Sequence, residues 1–384
     1  MLNDIPAPLS PEHFFRNHRT RQLLHVPGRP DKFRYLFPWD VLNKTLEEHR
    51  FNPKLLVLFK FGRKIELGRY LDGYRVDTAR LVHELSNGCT LVLNSCEEVH
   101  RPRTDLGIDL GRLFHRNVTV NLYCGWRRDK GFDVHWDDHN AIVLQVAGRK
   151  RWKVWNPTRQ HPFSDDIVDT TLPPKEEPVW DGTLEPGGLL SIPRGWWHVA
   201  CPMDEPCLHL TVTVKSPTGI DLLRWLADGM KSGCAPRIDV PVTATPVERA
   251  EWLEGVRPDL MAAWEGNPID VYLADLDAKI VARLRISLHG EVGASSNGLR
   301  RTTLLKLAAP RPLQFTIRDD GAFCHAGGMR WQMDAGIAEK LGRFNDRQTH
   351  SISEISPVAD LRLTALIGAL IINGILRRVA NAQS

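Results

Sequence analysis

The chain has 384 residues, of which 42% are hydrophobic and 25% charged, and its formal net charge is +4. This length allows two or three domains, and the composition is that of a folded protein with a hydrophobic core. The small net charge argues against a dedicated nucleic-acid-binding protein, which would carry a larger and more clustered basic excess. The sequence has no apolar run long enough to cross a bilayer and no secretory signal at its start, so we expect a cytoplasmic protein without a membrane span.

The seven cysteines are scattered along the chain, and no two of them form a Cys-x-x-Cys pair. This distribution gives no support to a structural zinc site. In the absence of an export signal, it indicates a reducing cytoplasm in which most of the thiols are buried as small hydrophobic groups.

From the start to about residue 215, short apolar and β-branched runs are separated by Gly, Pro, Asn and Asp. Such runs with turn signals between them predict an antiparallel barrel or sandwich. The predicted strands lie within residues 55–59, 90–94, 117–123, 141–146, 151–155, 188–192 and 207–214.

After about residue 216 the apolar residues take helical spacing. Helices are predicted at residues 220–230, 246–252, 257–265 and 268–288. Residues 290–298, rich in Gly, Ser and Asn, predict a linker or mobile loop. The remainder predicts a small α+β module of winged-helix type, with strands at 313–318 and 328–333 and helices at 334–343 and 358–378.

The segment His135-Trp-Asp137-Asp138-His139 carries the strongest chemical signal in the chain. A histidine and a carboxylate two residues apart on an extended strand project from the same face, so both can reach one metal ion. A third ligand, His198, follows a turn in the segment Pro-Arg-Gly-Trp-Trp-His. Two histidines and one carboxylate form the facial triad that leaves coordination positions open on iron(II).

Three segments together resemble the JmjC-type ribosomal oxygenases, also called the cupin-4 group. They are Asn121-Leu-Tyr123, the run from His135 to Trp152, and the segment that ends at His198. The middle run is the most specific, because H-x-D-D-H is followed in register by Leu-Gln and by Gly-Arg-Lys-Arg-Trp. The resemblance is sharp over about residues 115–215 and architectural beyond them.

The resemblance implies a mainly β fold, a double-stranded β-helix of the cupin/JmjC jelly-roll type, within residues 1–215 and with its core at about 90–215. It implies a helical dimerisation segment at 216–290, and hence a homodimer, and a winged-helix-like C-terminal domain at 291–384. The implied activity is that of an Fe(II)- and 2-oxoglutarate-dependent dioxygenase. Such an enzyme uses O₂ to hydroxylate an amino-acid side chain in a protein or peptide, as relatives do with Arg or His of ribosomal proteins.

Carried over position by position, the resemblance also assigns the site residues. The iron ligands would be His135, Asp137 and His198. Lys150 would pair with the distal carboxylate of 2-oxoglutarate, because a carboxylate inside a barrel needs a charged partner. Asn121 and Tyr123 would line the co-substrate pocket. Ala200 stands where some relatives carry a hydroxyl group.

Other residues near the triad have plainer interpretations. Trp136, His139 and Trp197 are candidates to line the pocket, although such tryptophans also serve as packing. Asp138 and His139 are interpreted as groups that orient the ligands or serve the structure, since the ligands themselves are accounted for.

Three residues further from the triad also have plainer, structural interpretations. Lys150 considered alone lies in a solvated basic turn, and Tyr123 alone is a core aromatic with a satisfied hydroxyl. His209 is interpreted as a core or barrel-lining histidine and not as a ligand.

Two further functions stay open on the sequence. One is hydroxylation of a natural-product peptide or a free amino acid, which the residues do not separate from protein hydroxylation. The other is a non-catalytic cupin sensor with a DNA-binding winged helix. This second function is disfavoured, because a recognition helix should present several basic or amide side chains on one face, whereas residues 334–343 offer only Lys340 and Arg343. A silent cupin would also have no need of the triad together with Lys150.

Overall fold

The computed structural model describes residues 5–18, 21–48, 52–96, 101–169, 173–281, 299–318 and 321–379. The chain divides into two compact units, Met1–Ser216 and Pro217–Ser384. The predicted linker at 290–298 lies outside the described residues.

The first unit is built around two antiparallel sheets. Its described strands are β1 (Leu24–Val26), β2 (Leu56–Lys60), β3 (Arg63–Lys64), β4 (Leu71–Asp72), β5 (Arg75–Val76), β6 (Thr90–Leu93), β7 (Thr119–Gly125), β8 (Asn140–Ala147), β9 (Lys150–Trp155), β10 (Trp180–Leu184), β11 (Leu189–Ile192), β12 (Trp197–Pro202) and β13 (Cys207–Val214). The large sheet has the order β1-β11-β8-β13-β7-β6-β2-β3, the small sheet the order β10-β9-β12, and β4 pairs with β5. The antiparallel β architecture predicted from the strand runs is therefore confirmed.

Side chains alternate along the central strands of the large sheet, and this alternation creates a cavity. On β13 the residues Leu208, Leu210, Val212 and Val214 enter the hydrophobic core. The alternate residues His209, Thr211 and Thr213 line a cavity on the other face. Lys150 and Trp152 of β9 and His198 of β12 line the same cavity, so the two sheets face each other across it. This is the cupin-type arrangement.

Helices cover the outer face of the large sheet. The described ones are α1 (Pro11–His13), which continues as a π-helical turn over Phe14–His18, α2 (Trp39–Glu48), α3 (Thr78–Ser86) and α4 (Arg101–Phe114). Leu106, Leu110 and Phe114 of α4 belong to the same core as the outward residues of β13. Their spacing of four residues is helical, yet this region was assigned to strands and turns only.

The second unit contains helices and two three-stranded sheets. Its described helices are α5 (Gly219–Gly229), α6 (Pro246–Trp264), α7 (Pro268–Lys279), α8 (Ala335–Gly342), α9 (Ile352–Ile355) and α10 (Leu361–Ile372). Its described strands are β14 (Leu304–Leu307), β15 (Gln314–Arg318), β16 (Gly321–Ala326), β17 (Met329–Met333), β18 (His350–Ser351) and β19 (Leu376–Arg378). The sheets have the orders β18-β14-β19 and β15-β16-β17. None of the described helices combines the length and the apolarity needed to cross a membrane.

Two helix predictions in this unit were wrong at their boundaries. The helices predicted at 246–252 and 257–265 form one helix, α6, which begins with a Thr245–Glu248 capping box and continues through Pro258. The helix predicted to reach residue 378 ends at Ile372, because Gly374 has a φ of 70° and redirects the chain into β19. The last residues of the helix predicted at 268–288 lie outside the described part of the chain.

A buried ion pair ties α7 to the segment before β15, and its loss is expected to destabilise the second unit. Asp277 is 5% and Arg311 3% exposed, and Oδ1 and Nε lie 2.8 Å apart. Asp277→Ala leaves a buried guanidinium without this carboxylate and is expected to lower the free energy of unfolding by about 3–5 kcal/mol, measured by urea denaturation. Arg362→Ala, which breaks an exposed pair with Asp334, is the control and should cost less than about 1 kcal/mol. Equal effects of the two variants would contradict the expectation.

Candidate metal centre

An isolated antiparallel bridge brings the two histidines of the triad together. The backbone N–H of His135 donates to the carbonyl of His198 at 3.1 Å, and the N–H of His198 donates back at 2.7 Å. Residues directly opposite each other in such a pair project to the same side. The two imidazole centroids accordingly lie 4.4 Å apart.

The same local geometry fixes the tautomer of both rings. Nδ1 of His135 lies 2.7 Å from the carbonyl oxygen of Asp133, and Nδ1 of His198 lies 3.0 Å from that of Trp196. A carbonyl oxygen only accepts, so each Nδ1 donates, and in a neutral ring Nε2 is left with a free lone pair. This backbone support orients both histidines as metal ligands through Nε2.

Asp137 completes the group. Its Oδ2 lies 3.6 Å from Nε2 of His198, and one potential ligand atom from each of His135, Asp137 and His198 lies within 4.8 Å of the others. Within the described residues no other group of three such side chains was found. The predicted triad is therefore assembled in space, although it spans 64 positions in the sequence.

Electrostatics place Asp137 and His198 in the protonation states that metal binding requires. Burial alone would raise the pKa of Asp137, but His198, His139 and His135 outweigh it and hold that pKa below its ordinary value. Burial, reinforced by His135, holds the pKa of His198 well below its ordinary value. A carboxylate thus stands beside a neutral imidazole at neutral pH, and both are ready to bind a cation.

Asp138 points away from the triad into a hydrogen-bond network. Its Oδ2 accepts from Ser164 Oγ at 2.6 Å and from Lys215 Nζ at 2.7 Å, and its Oδ1 lies 3.1 Å from Nδ1 of His139. The hydrogen bond from His139 is the largest cause of a lowered Asp138 pKa. Nε2 of His139 in turn lies 3.6 Å from Asp137. These contacts agree with the interpretation of Asp138 and His139 as orienting residues.

The triad borders a cavity of about 370 Å³ inside the barrel. Its walls include Thr119, Asn121 and Tyr123 of β7, Ala141 and Val143 of β8, Lys150 and Trp152 of β9, and His209, Thr211 and Thr213 of β13. The cavity therefore brings every predicted co-substrate residue close to the metal ligands. Trp152 and the three threonines were not predicted as site residues. The period-two alternation that continues from Lys150 and from His209 was the signal for most of them.

Lys150 lies in this wall and is not part of a solvated turn. Its flanking arginines reach outward to Glu205 and Asp181, whereas Lys150 is 4% exposed. Its ammonium lies 6.0 Å from the Trp152 ring centroid, and within the described part of the chain it forms no ion pair with a carboxylate. Burial lowers the pKa of Lys150. A cation buried without an acidic partner implies an anion supplied from outside the chain.

Tyr123 and His209 form a stacked pair in the cavity. Their ring centroids lie 4.9 Å apart with an interplanar angle of 2°. Burial, followed by the charge of Asp137, raises the pKa of Tyr123, and the side chain of Asn121 opposes this shift. Asn121 itself accepts a hydrogen bond from the backbone N–H of Ser95 at 3.1 Å. The interpretation of His209 as a barrel-lining residue is confirmed.

Two of the three residues that were candidates to line the pocket lie outside the cavity. Trp136 and Trp197 do not line the cavity, whereas His139 does. Each of these tryptophans directly precedes a triad residue on extended backbone and so points to the opposite face. The indole N–H of Trp197 instead donates to Thr158 Oγ1 at 3.1 Å.

Gly195 links the loop of Asp137 to the approach to His198, and a side chain there is expected to disturb both. Its N–H donates to the Asp137 carbonyl at 2.9 Å, its φ is +86°, and an added Cβ would lie 2.6 Å from Cδ of Pro162. Gly195→Ala is expected to cost about 1–3 kcal/mol of stability and to weaken Mn(II) binding, measured by urea denaturation and metal titration. Gly68→Ala, at a site with open space, is the matched control. If both variants behaved alike, this role of Gly195 would be wrong.

Comparison with known proteins agrees with this architecture. Residues 105–222 match the JmjC domain. The bifunctional lysine-specific demethylase and histidyl-hydroxylase NO66 of Drosophila persimilis is 38% identical over 225 residues, which cover 55% of this chain and 31% of that protein. Human ribosomal oxygenase 1 is 29% identical over 276 residues, which cover 66% of this chain and 39% of that protein. The chain thus spans about a third of the length of the curated relatives it matches.

Among solved structures, the crystal structure of the Escherichia coli ribosomal oxygenase YcfD superposes with a TM-score of 0.58 at 16% identity, covering 97% of this chain and 98% of that one. A second YcfD structure, in complex with cobalt and 2-oxoglutarate, gives a TM-score of 0.57 at 16% identity and covers 97% and 99%. This likeness establishes the fold. The JmjC match is confined to residues 105–222 of the chain. The curated proteins to which the chain is similar include NO66 histidyl-hydroxylases and ribosomal oxygenase 1.

Proposed function

We propose that this protein is an Fe(II)- and 2-oxoglutarate-dependent dioxygenase that hydroxylates an amino-acid side chain in a protein or peptide. The observation that carries the proposal is the pairing of two features in one cavity. One is a triad with two free Nε2 lone pairs and one carboxylate, and the other is Lys150, a buried cation with no acidic partner among the described residues. A metal chelate with an anionic tail fits both.

The donor set fits iron(II). His135, Asp137 and His198 would hold the metal on one face and leave the opposite positions for exogenous ligands. Lys150 would hold the far carboxylate of 2-oxoglutarate, and Asn121 and Tyr123 would line its path. When bound, iron with 2-oxoglutarate and O₂ supplies oxidative decarboxylation coupled to insertion of one oxygen atom into a C–H bond. The protein's part is to fix the ligands and to position one substrate carbon beside them.

Relatives favour a macromolecular substrate. The D. persimilis protein is named as a demethylase and histidyl-hydroxylase, and the human protein as a ribosomal oxygenase. We therefore rank a ribosomal or other protein side chain above a free amino acid. The scattered thiols, all of them free in the structure, support a reducing, cytoplasmic setting.

The experiment that tests the activity uses isotopic oxygen. Purified protein with Fe(II), 2-oxoglutarate and ¹⁸O₂ is incubated with ribosomal proteins from the host, and tryptic peptides are analysed by mass spectrometry. The proposal expects one peptide to gain a single ¹⁸O atom, and no gain with His198→Ala. Labelling of a free amino acid and of no peptide would instead favour the alternative function, hydroxylation of a free amino acid.

We also propose a homodimer formed through the helices of the second unit. None of the 19 residues of α6 is buried, and its exposed side chains include Val247, Leu253, Leu260, Met261 and Trp264. Apolar groups left on all sides of a helix call for a covering partner. Light scattering is expected to show a dimer that becomes monomeric in Leu253→Lys/Leu260→Lys, and a monomeric wild-type protein would exclude the proposed homodimer.

The strands and helices from residue 299 onward are proposed to be a winged-helix-like module.

A further inference from the structure

Two ring nitrogens on the cavity wall lack hydrogen-bond partners among the described residues, and the Lys150 ammonium beside them has no carboxylate partner there. His209 is 2% and Trp152 5% exposed, and both line the cavity together with Lys150. Nδ1 of His209 and Nε1 of Trp152 are buried, and neither finds a partner within the described part of the chain. Buried polar groups are nearly always paired, so two unpaired ring nitrogens on side chains that line one cavity indicate a missing ligand.

The three side chains form one contiguous cluster. Trp152 follows Lys150 by two positions on β9 and therefore shares its face. The Lys150 ammonium lies 6.0 Å from the Trp152 ring centroid. The His209 ring meets Trp152 edge-on at 5.6 Å and stacks on Tyr123 at 4.9 Å. These contacts hold both heterocycles in fixed orientations beside the cation.

Their chemistry is that of an anion cradle. Burial, followed by the charge of Lys150, lowers the pKa of His209 well below its ordinary value, so the imidazole is neutral and one of its nitrogens carries a hydrogen. The indole of Trp152 can only donate. The cluster therefore offers one positive charge and two neutral N–H groups. A carboxylate, with two oxygens and about four lone-pair sites, accepts all three.

We propose that His209 and Trp152 are specificity-determining residues that bind, together with Lys150, the distal carboxylate of the 2-oxo acid co-substrate. The inference rests on the proposed function. A lysine alone is a flexible point charge that attracts an anion without fixing its place. The two rigid rings fix the position of the distal carboxylate. The distance from the metal to Lys150, His209 and Trp152 then selects a five-carbon 2-oxo diacid over 2-oxo acids without a distal carboxylate.

The test compares two ligands of equal chain length on the full protein. Fe(II)-loaded protein is titrated anaerobically with 2-oxoglutarate and with 2-oxopentanoate, which lacks the distal carboxylate, and the charge-transfer band of the chelate reports binding. The variants are His209→Phe and Trp152→Phe. The controls are His83→Phe on the exposed face of α3 and Trp155→Phe, whose indole points outward from β9 and donates to the Glu176 carbonyl.

We expect each cavity variant to raise the Kd of 2-oxoglutarate about tenfold to a hundredfold and that of 2-oxopentanoate less than about threefold. His209→Gln, which keeps an N–H donor, should retain most of the affinity and provides a second variant if the phenylalanine disturbs folding. An unchanged Kd, or an equal loss for both acids, would overturn the assignment of the two rings. A wild-type protein that forms no band with 2-oxoglutarate would instead refute the proposed function and this inference with it.

Discussion

Asp137→Ala is expected to abolish specific iron binding. It removes the only anionic ligand of the triad and leaves Nε2 of His198 without the carboxylate that lies 3.6 Å away. Loss of a group that merely orients a ligand already costs about 10- to 100-fold in metal affinity, so loss of a ligand should cost roughly a hundredfold or more. Titration with Mn(II), followed by electron paramagnetic resonance, measures this directly.

Asp165→Ala is the matched control, because Asp165 is an exposed carboxylate in the same unit but outside the triad. It should bind one equivalent of Mn(II) with the wild-type affinity. Unchanged metal affinity in Asp137→Ala would mean that the ligands lie elsewhere in the chain.

Lys150→Met is expected to change ligand affinity and stability in opposite directions. It removes the buried charge that we assign to the distal carboxylate, so the Kd of 2-oxoglutarate should rise about a hundredfold or more. In the ligand-free protein the same change removes a desolvated cation that has no acidic partner in the described ranges of the chain. The free energy of unfolding should therefore increase, by about 1–3 kcal/mol.

The pH dependence of stability gives this prediction a second readout. Burial lowers the pKa of Lys150 in the folded state below its ordinary 10.5, so the unfolded chain binds more protons between those two values. The contribution of Lys150 to the free energy of unfolding of the ligand-free protein therefore becomes more favourable as the pH rises between the two pKa values. Below the folded-state pKa, the full energetic penalty of the buried charge is present. Lys150→Met should lack this contribution.

Lys153→Met provides the control for both effects. Lys153 lies on the same strand but faces outward, 43% exposed and 3.5 Å from Asp181. It should leave 2-oxoglutarate affinity unchanged and alter stability by less than about 1 kcal/mol. A Lys150→Met protein that is less stable than wild type and still binds 2-oxoglutarate would show that the lysine has a structural role only.

The candidate site was largely predictable because the spacing of its residues along the chain determines which side chains share a face. His135 and Asp137 share a face of an extended segment, and Lys150 was placed by its register behind them. The error at Trp136 and Trp197 came from overlooking the same rule, since the residue that directly precedes an inward-facing ligand on extended backbone must face outward. The backbone bridge between His135 and His198, which orients both ligands, joins segments 63 positions apart and leaves no local signal.

The fold was predictable where strands carry their own apolar alternation, as in β13. It was less predictable where pairing partners are distant. The short strand β1 joins the large sheet beside β11, more than 160 positions later, and nothing in Leu24–Val26 specifies that neighbour. The end of α10 was missed for a different reason. The Asn373-Gly374 pair is a stop signal, but the apolar run on both sides of it obscured the change from helix to strand.

Succinate formation is the decisive measurement for dioxygenase activity. Anaerobically purified protein is supplied with Fe(II) and 2-oxoglutarate, exposed to O₂, and assayed for succinate beside His135→Ala/Asp137→Ala. We expect succinate from the wild-type protein and none from the double variant. A wild-type protein that forms neither succinate nor the iron–2-oxoglutarate charge-transfer band would not be an Fe(II)- and 2-oxoglutarate-dependent dioxygenase.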